Sequence, residues 1–594
     1  MKVMDANEIA VALSEIATLL ELRGENVFKI NAHRKAARAL ETLTQPLDHL
    51  IADGSLAQVD GIGKALLAKI ETLHRTSRLQ ELEDLRAQIP PGLLEMLRLP
   101  GIGPKKVKLL YEELGIESLA ALKSACETGR IADVKGFGSR TQTNILEGIA
   151  FLREGEGRVH RPVAIEVAED LIRLLAGIQG VERIEQAGSL RRARETVKDI
   201  DIVATLKPGI DPEGVMDAFV AFPKVVHVSG RGQTKASVVL EVADPGSMTG
   251  RSRLGADLRL VPPESFACAL AYFTGSKEHN VRMRGLAIEH GYKLNEYALS
   301  GPDGPLDCPT EESIYRHLGL QWVPPELREM TGEIEAAKLT GGKGLPKLIQ
   351  AGSLRGIFHN HTTASDGSAT LEEMAIAARD IGLEYFGVGD HSQSLGIANG
   401  LKPKRVREQW AEIDRLNEKL SGIHIFKGSE VDILEDGSLD YDDELLSGFD
   451  YVVASVHMNM NQPREEMTAR ICKAISHPAV TMLGHPTGRL LLRRSAYAVD
   501  LDKVLETAAK HGVMIEINAN PWRLDLDWVF VRRARDMGIL LVINPDAHAT
   551  GEVANIRYGV EVARRGWCES KDVFNTRGIE EVKSYLKARK ERSH

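Results

Sequence analysis

The stretch Gly188-Ser-Leu-Arg-Arg-Ala-Arg-Glu-Thr-Val-Lys-Asp-Ile-Asp201 decides the fold of the first half of the chain. Side chains alternate between the two faces of a strand, so Asp199 and Asp201 share one face while Ile200 enters the core. Two carboxylates this close repel each other unless a cation lies between them. The stretch therefore predicts a metal-binding strand, preceded by Gly188 and Ser189, which can offer an amide and a hydroxyl to phosphate oxygens.

A third carboxylate extends this pattern. Asp257 lies in Ala-Asp-Leu-Arg-Leu, which reads as another strand with Leu258 and Leu260 facing the core. Three carboxylates can hold two Mg²⁺ or Mn²⁺ ions roughly 4 Å apart, one activating an attacking hydroxyl and one holding a triphosphate. Arg192 would add charge-assisted contacts to the phosphates. The pattern predicts nucleotidyl transfer by two metal ions.

The combination of motifs carries this prediction. Ala351-Gly-Ser-Leu-Arg355 repeats Ala187-Gly-Ser-Leu-Arg191, but no Asp-x-Asp follows it about ten residues later. An isolated Asp-x-Asp is most often a solvated strand edge. Neither motif alone would therefore indicate a catalytic site.

A short repeat precedes this region. Val59-Asp-Gly-Ile-Gly-Lys64, Leu99-Pro-Gly-Ile-Gly-Pro104 and Val134-Lys-Gly-Phe-Gly-Ser139 each place Gly-x-Gly between segments of helical periodicity. Glycines permit a tight turn, and the free amides at the next helix start can hold a phosphate. The repeat predicts helix–hairpin–helix motifs that bind phosphate groups. The candidate contacts are Gly61, Gly63, Lys64, Gly101, Gly103 and Lys105.

Histidines and acids mark the second half. It contains His359-Asn-His361, Gly-Asp390-His391, Gly-Ser-Glu430-Val-Asp432, Pro-Asp546-Ala-His548 and single histidines after other short apolar segments. These groups lie at the ends of predicted strands that alternate with helices, where β/α barrels carry their chemistry. Imidazole and carboxylate ligands suit Mn²⁺, Zn²⁺ or Fe²⁺, which would generate hydroxide and hold a phosphate ester.

Bulk properties bound these interpretations. The 594 residues predict roughly three to five compact units. The formal charge of −9 does not exclude DNA binding, because phosphate contact depends on local clusters and backbone amides. Five scattered cysteines indicate a reducing compartment, and no signal peptide or membrane-spanning stretch is evident. We expect a cytoplasmic monomer without a membrane partner.

The first 320 residues or so resemble the family X DNA polymerases of the nucleotidyltransferase superfamily. The narrowest motif is Tyr272-Phe-Thr-Gly-Ser276, and Asn295-Glu-Tyr297 also matches. The resemblance implies gapped or nicked DNA and deoxynucleoside triphosphates as partners, and a monovalent cation held by the hairpin loops. It also implies nucleotide contacts by Gly188, Ser189, Arg192, Tyr272, Phe273, Gly275 and Asn280, and a template-side contact by Arg284.

A lyase function is one further implication of the family. In vertebrate relatives, a lysine after the first Gly-x-Gly forms a Schiff base with a 5′-deoxyribose phosphate. The matching residue here is Lys69, with Lys29 and Lys35 nearby in sequence. A lysine on a helix is usually only a solvated charge, so both interpretations stay open.

The second half resembles the PHP (polymerase and histidinol phosphatase) domain, a seven-stranded β/α barrel with a three-ion site. The resemblance implies as ligands His359, His361, Asp366, His391, Glu430, His457, His485, Asp546 and His548. One departure is Ile357, where many members of the family have an aspartate, so a contact supporting the ligands is expected to be missing. Arg489, in His485-Pro-Thr-Gly-Arg489, is a candidate phosphate contact.

The sequence thus predicts a multidomain chain of α+β and α/β class. Its expected parts are a helical, lyase-like helix–hairpin–helix domain (1–90), a fingers-type helical subdomain (91–157), a nucleotidyltransferase palm (158–264), a nucleotide-selecting subdomain or thumb (265–320), a linker (321–350) and a PHP (β/α)7 barrel (351–594).

The expected function is gap filling in base excision repair, with 3′-end processing by the PHP domain. That processing could be a 3′-5′ exonuclease, a 3′-phosphatase or an abasic-site endonuclease. Two alternatives stay open: another nucleotidyltransferase acting on RNA, and a DNA-end scaffold with a structural PHP domain.

Overall fold

The computed structural model describes residues 4, 6–41, 47–59, 61–97, 99, 102–132, 134, 136–138, 141–143, 145–146, 148–149, 157–247 and 250–592. The chain divides into two compact units, Met1–Glu156 and Gly157–His594. Each unit is described by itself below. Among the described residues, no helix combines the length and the apolar character needed to cross a bilayer.

The described part of the first unit is built from helices. They are Ala6–Arg23, Val27–Glu41, Leu47–Ala52, Lys64–Thr76, Gln80–Gln88, Pro91–Met96, Pro104–Leu114 and Leu119–Glu127. Leucine and isoleucine at helical spacing line one face of each longer helix, and these faces meet in one core. Leu13, Ile16 and Leu20 of the first helix are examples of fully buried members.

The last glycine of each of the first two repeats begins a helix, as predicted. Gly63 is the N-cap of Lys64–Thr76, and Gly103 is the N-cap of Pro104–Leu114. No side chain caps either helix, so the first amides face solvent at exposed glycines and can receive a phosphate. Gly101, and Lys135 and Ser139 of the third repeat, lie outside the described residues.

A five-stranded sheet forms the palm. Its strands, in spatial order, are Val181–Gln186, Asp199–Leu206, Arg251–Leu260, Lys235–Ala243 and Val225–Arg231. Only the second and third of these strands run parallel to each other; the other pairs are antiparallel. Helices Arg161–Ala176 and Glu213–Val220 pack on one face, where alternate residues such as Ile200, Ile202 and Leu258 are buried.

The first palm strand ends earlier than its sequence predicts. Val181 to Leu190 reads as one strand, but the strand ends at Gln186, and Gly188–Arg191 forms a helical turn. Gly188 has φ of 65°, in the left-handed region that glycine adopts without strain. A Cβ at this position would lie 2.1 Å from Oδ2 of Asp201, so only glycine allows the backbone this close to the aspartate.

The thumb follows the palm directly. Its main helices are Phe266–Thr274, Lys277–Glu289 and Glu311–His317, with small strands Lys293–Leu294, Leu299–Gly301 and Gly304–Pro305. The segment 321–350, predicted to be a linker, contains helix Glu333–Ala337 and packs into the thumb core through Leu327 and Ile334. Arg328 is fully buried in it and bonds to Glu311 over 2.8 Å. This segment is an ordered part of the second unit.

The remainder of the second unit is a parallel barrel. Its strands are Gly356–Ile357, Tyr385–Gly387, His424–Phe426, Gly428–Asp432, Tyr451–Ser455, Met482–Leu483, Met514–Asn518 and Leu541–Asn544. The third and fourth continue each other across Lys427, so the eight strands occupy seven positions. A bridge from Asn360 to Ala547 joins the first position to the last.

Helices alternate with these strands around the barrel. They are Leu371–Asp380, Pro403–Lys419, Asp443–Gly448, Arg464–Ile475, Leu501–His511, Trp528–Asp536, Ile556–Arg565 and Ile579–Arg592. Apolar strand residues, such as Ile515 and Ile517, and helix residues, such as Val504 and Val531, fill the core between the layers. The predicted fold class, with a helix–hairpin–helix region, a palm with thumb and a (β/α)7 barrel, is confirmed.

Candidate active sites

The palm aspartates lie on two neighbouring parallel strands. The strand register places Asp201 directly opposite Asp257, and Asp199 opposite Gly255. Their neighbours Ile200, Ile202 and Leu258 point to the other face and are buried, which fixes the direction of the carboxylates. The sheet thus presents three acids on one face, beside the turn at Gly188.

These three acids repel one another. Burial, together with the charges of Asp199 and Asp257, raises the pKa of Asp201 to about 7. Lys235 compensates part of the charge, with Nζ 2.9 Å from Oδ2 of Asp257. Among the described residues, the acid and histidine groups whose ligand atoms converge within 4.8 Å lie in the barrel, not here. The palm acids therefore present a partly open site with excess negative charge, which divalent cations would fit.

The predicted phosphate contacts surround the turn before this strand. Gly188 is buried against Asp201, and Ser189 is half-buried in the turn. Arg192 donates to the carbonyl of Thr274 and, over 3.2 Å, to Glu329. Arg192 is therefore held between the palm turn and the thumb, with its guanidinium fixed by acceptors on the thumb side.

The predicted nucleotide-selecting residues cluster at the start of the thumb. The rings of Tyr272 and Phe273 meet edge to face, with centroids 5.2 Å apart, and Arg259 lies over the Phe273 ring. Asn280 donates to the carbonyl of Tyr272 over 2.7 Å. Tyr272, Asn280 and Arg284 line one small pocket.

Gly275 ends the helix that carries Tyr272 and Phe273. It has φ of 71°, in the left-handed region. A Cβ here would meet the Arg192 guanidinium at 3.0 Å. Glycine therefore lets the backbone between the first two thumb helices approach Arg192 closely.

The barrel brings all nine predicted ligands together. Their ligand atoms form overlapping groups: His361, Asp366, His391 and His548; His359, His485 and Asp546; His359, His361 and Glu430; and His391, Glu430 and His457. Each group is compact enough to surround one metal ion, and shared members join the groups into one cluster. The ligands come from the carboxyl ends of successive strands, as in other β/α barrels.

Glu430 lies at the centre of this cluster. Its Oε1 is 2.9 Å from Nε2 of His485 and 3.2 Å from Nε2 of His457, and its Oε2 is 2.9 Å from Nδ1 of His391. His361 stacks on His548 with ring centroids 4.2 Å apart, and its Nε2 lies 3.1 Å from Oδ1 of Asp546. Imidazole and carboxylate atoms therefore alternate throughout the cluster.

Buried ligand atoms without hydrogen-bond partners indicate that the cluster fits metal ions. Both carboxylate oxygens of Glu430 and Nε2 of His359 are buried and lack a hydrogen bond of acceptable geometry. Burial opposes protonation of His391, but Glu430 and Asp366 outweigh it and raise the pKa of His391 to about 10. Buried, incompletely paired acids and imidazoles are costly without a cation, and this donor set suits Mn²⁺, Zn²⁺ or Fe²⁺.

Two supporting carboxylates were not predicted. Glu516 accepts from Nδ1 of His359 over 2.7 Å and from the backbone amide of His485 over 2.6 Å. Asp432 lies 2.8 Å from Nδ1 of His457. Such contacts orient metal-bound imidazoles. Glu516 therefore supplies a supporting carboxylate to the first histidine, although Ile357 stands where many members of the family have aspartate.

Two arginines near the cluster differ in role. Nε of Arg523, which was not predicted, lies 3.6 Å from Oδ2 of Asp546. Arg489 was expected to contact phosphate, and in the structure its guanidinium is paired with carboxylates. Its Nη2 donates to Glu195 of the palm over 2.8 Å, and its Nη1 donates to Asp527 over 3.2 Å. Arg489 is therefore engaged in a contact between the barrel and the palm.

Lys69, the candidate lyase residue, lies in a polar group within the first unit. Its Nζ is 2.9 Å from Nε2 of His33 and forms an ion pair with Glu81. Lys29 lies 3.5 Å from the same carboxylate. The Lys69 side chain is only 20% exposed, so a substrate would have to displace Glu81 to reach its amine.

Comparison with protein families follows the same division of the chain. Residues 4–79 match the helix-hairpin-helix domain, 93–150 the SAM-like helix-hairpin-helix tandem, 269–329 the DNA polymerase beta thumb and 358–520 the PHP domain. Each match falls on the part of the chain whose architecture is described above.

Individual relatives cover either the whole chain or one part. The DNA polymerase/3'-5' exonuclease PolX of Bacillus subtilis (strain 168) is 38% identical over 98% of this chain and 100% of its own length. A probable phosphatase of Thermoanaerobacter sp. (strain X514) is 29% identical over 39% of this chain and 94% of its own. DNA polymerase lambda of Rattus norvegicus is 26% identical over 54% of this chain and 56% of its own.

Proposed function

The chain belongs to the family X DNA polymerases that carry a C-terminal PHP domain, and from this premise we propose that it fills short gaps in DNA and processes 3′ ends. The setting we propose is base excision repair, in which the PHP domain prepares a terminus and the palm extends it. The proposed partners are gapped or nicked DNA and deoxynucleoside triphosphates.

One observation carries the polymerase half of the proposal. Asp201 lies opposite Asp257 on parallel strands, next to a glycine turn whose backbone no other residue could bring so close. This combination supports a site in which metal-holding acids lie beside a phosphate-binding turn. The full-length similarity to a protein named as a DNA polymerase supports the same assignment.

In gap filling, Asp199, Asp201 and Asp257 would hold Mg²⁺ or Mn²⁺. When bound, such ions lower the pKa of the primer hydroxyl and neutralise charge on the triphosphate. Gly188 and Ser189 would bind phosphate oxygens through an amide and a hydroxyl, and Arg192 would orient the triphosphate from the thumb side. The chain's own contribution is thus to position the primer terminus and the nucleotide in line.

Nucleotide selection falls to the thumb. Tyr272, Phe273 and the backbone at Gly275 would lie against the sugar and leave no room for a 2′-hydroxyl. Asn280 would contact the minor-groove edge of the base, and Arg284 the template side. Tyr272, Asn280 and Arg284 line one small pocket, which supports this arrangement. The hairpin amides after Gly63 and Gly103 would hold the DNA backbone, and their loops a monovalent cation.

In 3′-end processing, the nine barrel residues would hold three ions of Mn²⁺, Zn²⁺ or Fe²⁺. Bound ions of this kind supply a hydroxide nucleophile near neutral pH and polarise the phosphate ester. Glu516 and Asp432 would keep His359 and His457 in the tautomer that binds metal. We propose that this activity is a 3′-5′ exonuclease, a 3′-phosphatase or an abasic-site endonuclease.

A one-nucleotide gapped duplex tests the proposal. The protein is incubated with this duplex, bearing either a 3′-hydroxyl or a 3′-phosphate, across Mg²⁺ and Mn²⁺, with and without nucleotides. We expect extension with deoxynucleotides and trimming or dephosphorylation without them. Preference for ribonucleotides would favour the alternative of a nucleotidyltransferase acting on RNA. Binding without any turnover would favour the scaffold alternative, and both results would contradict the proposal.

A further inference from the structure

The turn that carries Gly188, Ser189 and Arg192 is bonded to the barrel as well as to the palm. Glu195, at its end, accepts from Nη2 of Arg489 over 2.8 Å. Arg489 follows the metal-ligand candidate His485 by four residues, and its Nε also donates to a barrel carbonyl, that of Arg523. The contact is largely shielded from solvent, because the Arg489 and Glu195 side chains are 16% and 14% exposed.

A second ion pair holds the same turn at Leu190. Arg161, at the start of the first palm helix, donates to the carbonyl of Leu190 inside the turn. The same guanidinium makes a bidentate pair with Glu561 of the barrel helix Ile556–Arg565, over 2.6 and 2.9 Å. Bidentate arginine–carboxylate pairs fix geometry as well as charge. Glu561 therefore determines where Arg161 holds Leu190.

A third contact reaches Arg192 through the thumb. Glu329 accepts from Arg192 over 3.2 Å and from Arg565 of the barrel over 3.4 Å. Arg565 is fully buried, so its charge depends on such acceptors. Both arginines therefore share one carboxylate at the junction of palm, thumb and barrel.

An aromatic contact and hydrogen bonds of His160 also join palm and barrel at this junction. Trp522 of the barrel packs edge to face against His160 of the palm, with centroids 4.9 Å apart. Nε2 of His160 lies 3.0 Å from the carbonyl of Leu491, and its Nδ1 lies 2.8 Å from Asp244. Aromatic packing between Trp522 and His160 thus accompanies the ion pairs of the junction.

We propose that the barrel positions the nucleotide-binding turn of the palm through Glu561, Arg489 and Arg565. These are positioning residues, because the contacts that carry the proposal run to Glu195, to Glu329 and, through Arg161, to Leu190. The inference rests on the proposed polymerase function. It goes beyond that function because it assigns part of nucleotide binding to side chains of the phosphoesterase domain.

Glu561→Gln in the full-length chain tests the proposal most cleanly, since the pair with Arg161 is the contact that Glu561 makes across the junction. We expect KM for the incoming nucleotide to rise about tenfold with kcat changed much less, because a less firmly held turn would bind the triphosphate more weakly by about one charge-assisted contact. Glu561→Asp should recover part of the loss. Metal content and 3′-end processing should match those of the parent protein.

A matched control is Arg533→Gln, which removes an exposed ion pair with Asp502 inside the barrel. It should leave KM unchanged. Glu195→Gln, which removes the palm side of the Arg489 pair, provides a second variant if Glu561→Gln folds poorly. Unchanged KM for the nucleotide in both Glu195→Gln and Glu561→Gln would overturn the inference while leaving gap filling established. Absence of gap filling in the unmodified protein would overturn both proposals.

Discussion

The two acid-rich sites of this chain are built on opposite principles. The palm site has three aspartates on one sheet face, partly exposed, with Lys235 as a nearby countercharge. The barrel site is largely buried, with Asp366 and His548 at its exposed edge, and its central acid Glu430 lies against imidazoles. The palm carboxylates repel one another, so cations would stabilise them. In the barrel, the ligand atoms of histidines and acids already lie within 4.8 Å of one another in each group.

This difference indicates how each site would use its metals. An open carboxylate site suits Mg²⁺, which keeps several waters and arrives with a triphosphate. A buried cluster of histidines and acids suits ions that stay bound through many turnovers. The chain would therefore exchange ions at the palm during each reaction and retain them in the barrel.

The sharpest way to break the comparison is to remove the palm acids. Asp199→Ala with Asp201→Ala should reduce gap filling more than about a thousandfold, because bound metal supplies several kcal/mol of transition-state stabilisation. Trimming of a 3′ end should remain, as measured on the same gapped duplex. Extension by the double variant would show that the palm site is misassigned.

The reciprocal change removes two barrel ligands. His359→Ala with His361→Ala should lower 3′-end processing at least about a hundredfold and release tightly bound metal, measured by elemental analysis of the purified protein. Gap filling should persist, with KM for the nucleotide within about twofold of the parent. Loss of both activities would contradict the separation of the sites.

A milder change tests the unpredicted support for the first histidine. Glu516→Gln should weaken metal binding by the barrel about tenfold, since contacts that orient ligands typically contribute factors of this size or more. A competition titration with a chelator measures the effect. Equal affinity in the variant and the parent would mean that Glu516 does not orient His359.

Mg²⁺ binding by the palm site should depend on pH. Burial and the neighbouring aspartates raise the pKa of Asp201 to about 7, and only the ionised carboxylate binds a cation. Apparent affinity for Mg²⁺ should therefore fall about fourfold from pH 8 to pH 6.5, as the ionised fraction declines. Calorimetric titration of the His359→Ala, His361→Ala variant with Mg²⁺ measures this trend. An affinity that does not change with pH would contradict the raised pKa of Asp201.

The smallest effect is expected at Lys69. Lys69→Ala should leave gap filling within about twofold of the parent, because its amine contacts His33 and Glu81 of the first unit and is not among the proposed metal or nucleotide contacts. Borohydride trapping on a pre-incised abasic duplex tests whether this lysine forms a Schiff base. Trapping in the parent and not in the variant would establish lyase chemistry; trapping in neither would exclude it for Lys69.

The sequence predicted those features that local pattern encodes. Strand alternation predicted which face Asp199 and Asp201 share, and the buried Ile200 agrees with it. The histidine motifs at predicted strand ends indicated residues that the barrel does bring together. A buried glutamate in Met-Ile-Glu-Ile-Asn, the strand that carries Glu516, was a signal that could have been used.

Other features depend on pairs far apart in the chain. The role of Arg489 could not be predicted, because its partner Glu195 lies almost three hundred residues earlier. The strand end at Gln186 was missed because Gly188 turns the chain against Asp201, a contact that an apolar pattern does not encode. Local propensity gives way to tertiary contact at such positions.

The most direct test of two differently built metal sites is a crystal grown with Mn²⁺, with and without a non-hydrolysable deoxynucleoside triphosphate. Anomalous scattering should locate ions among the nine barrel residues in both crystals. Ions between Asp199, Asp201 and Asp257 should be at full occupancy only when the nucleotide is bound. Palm carboxylates that stay dispersed around an ion-free site with nucleotide present, or a barrel cluster without metal, would contradict the account.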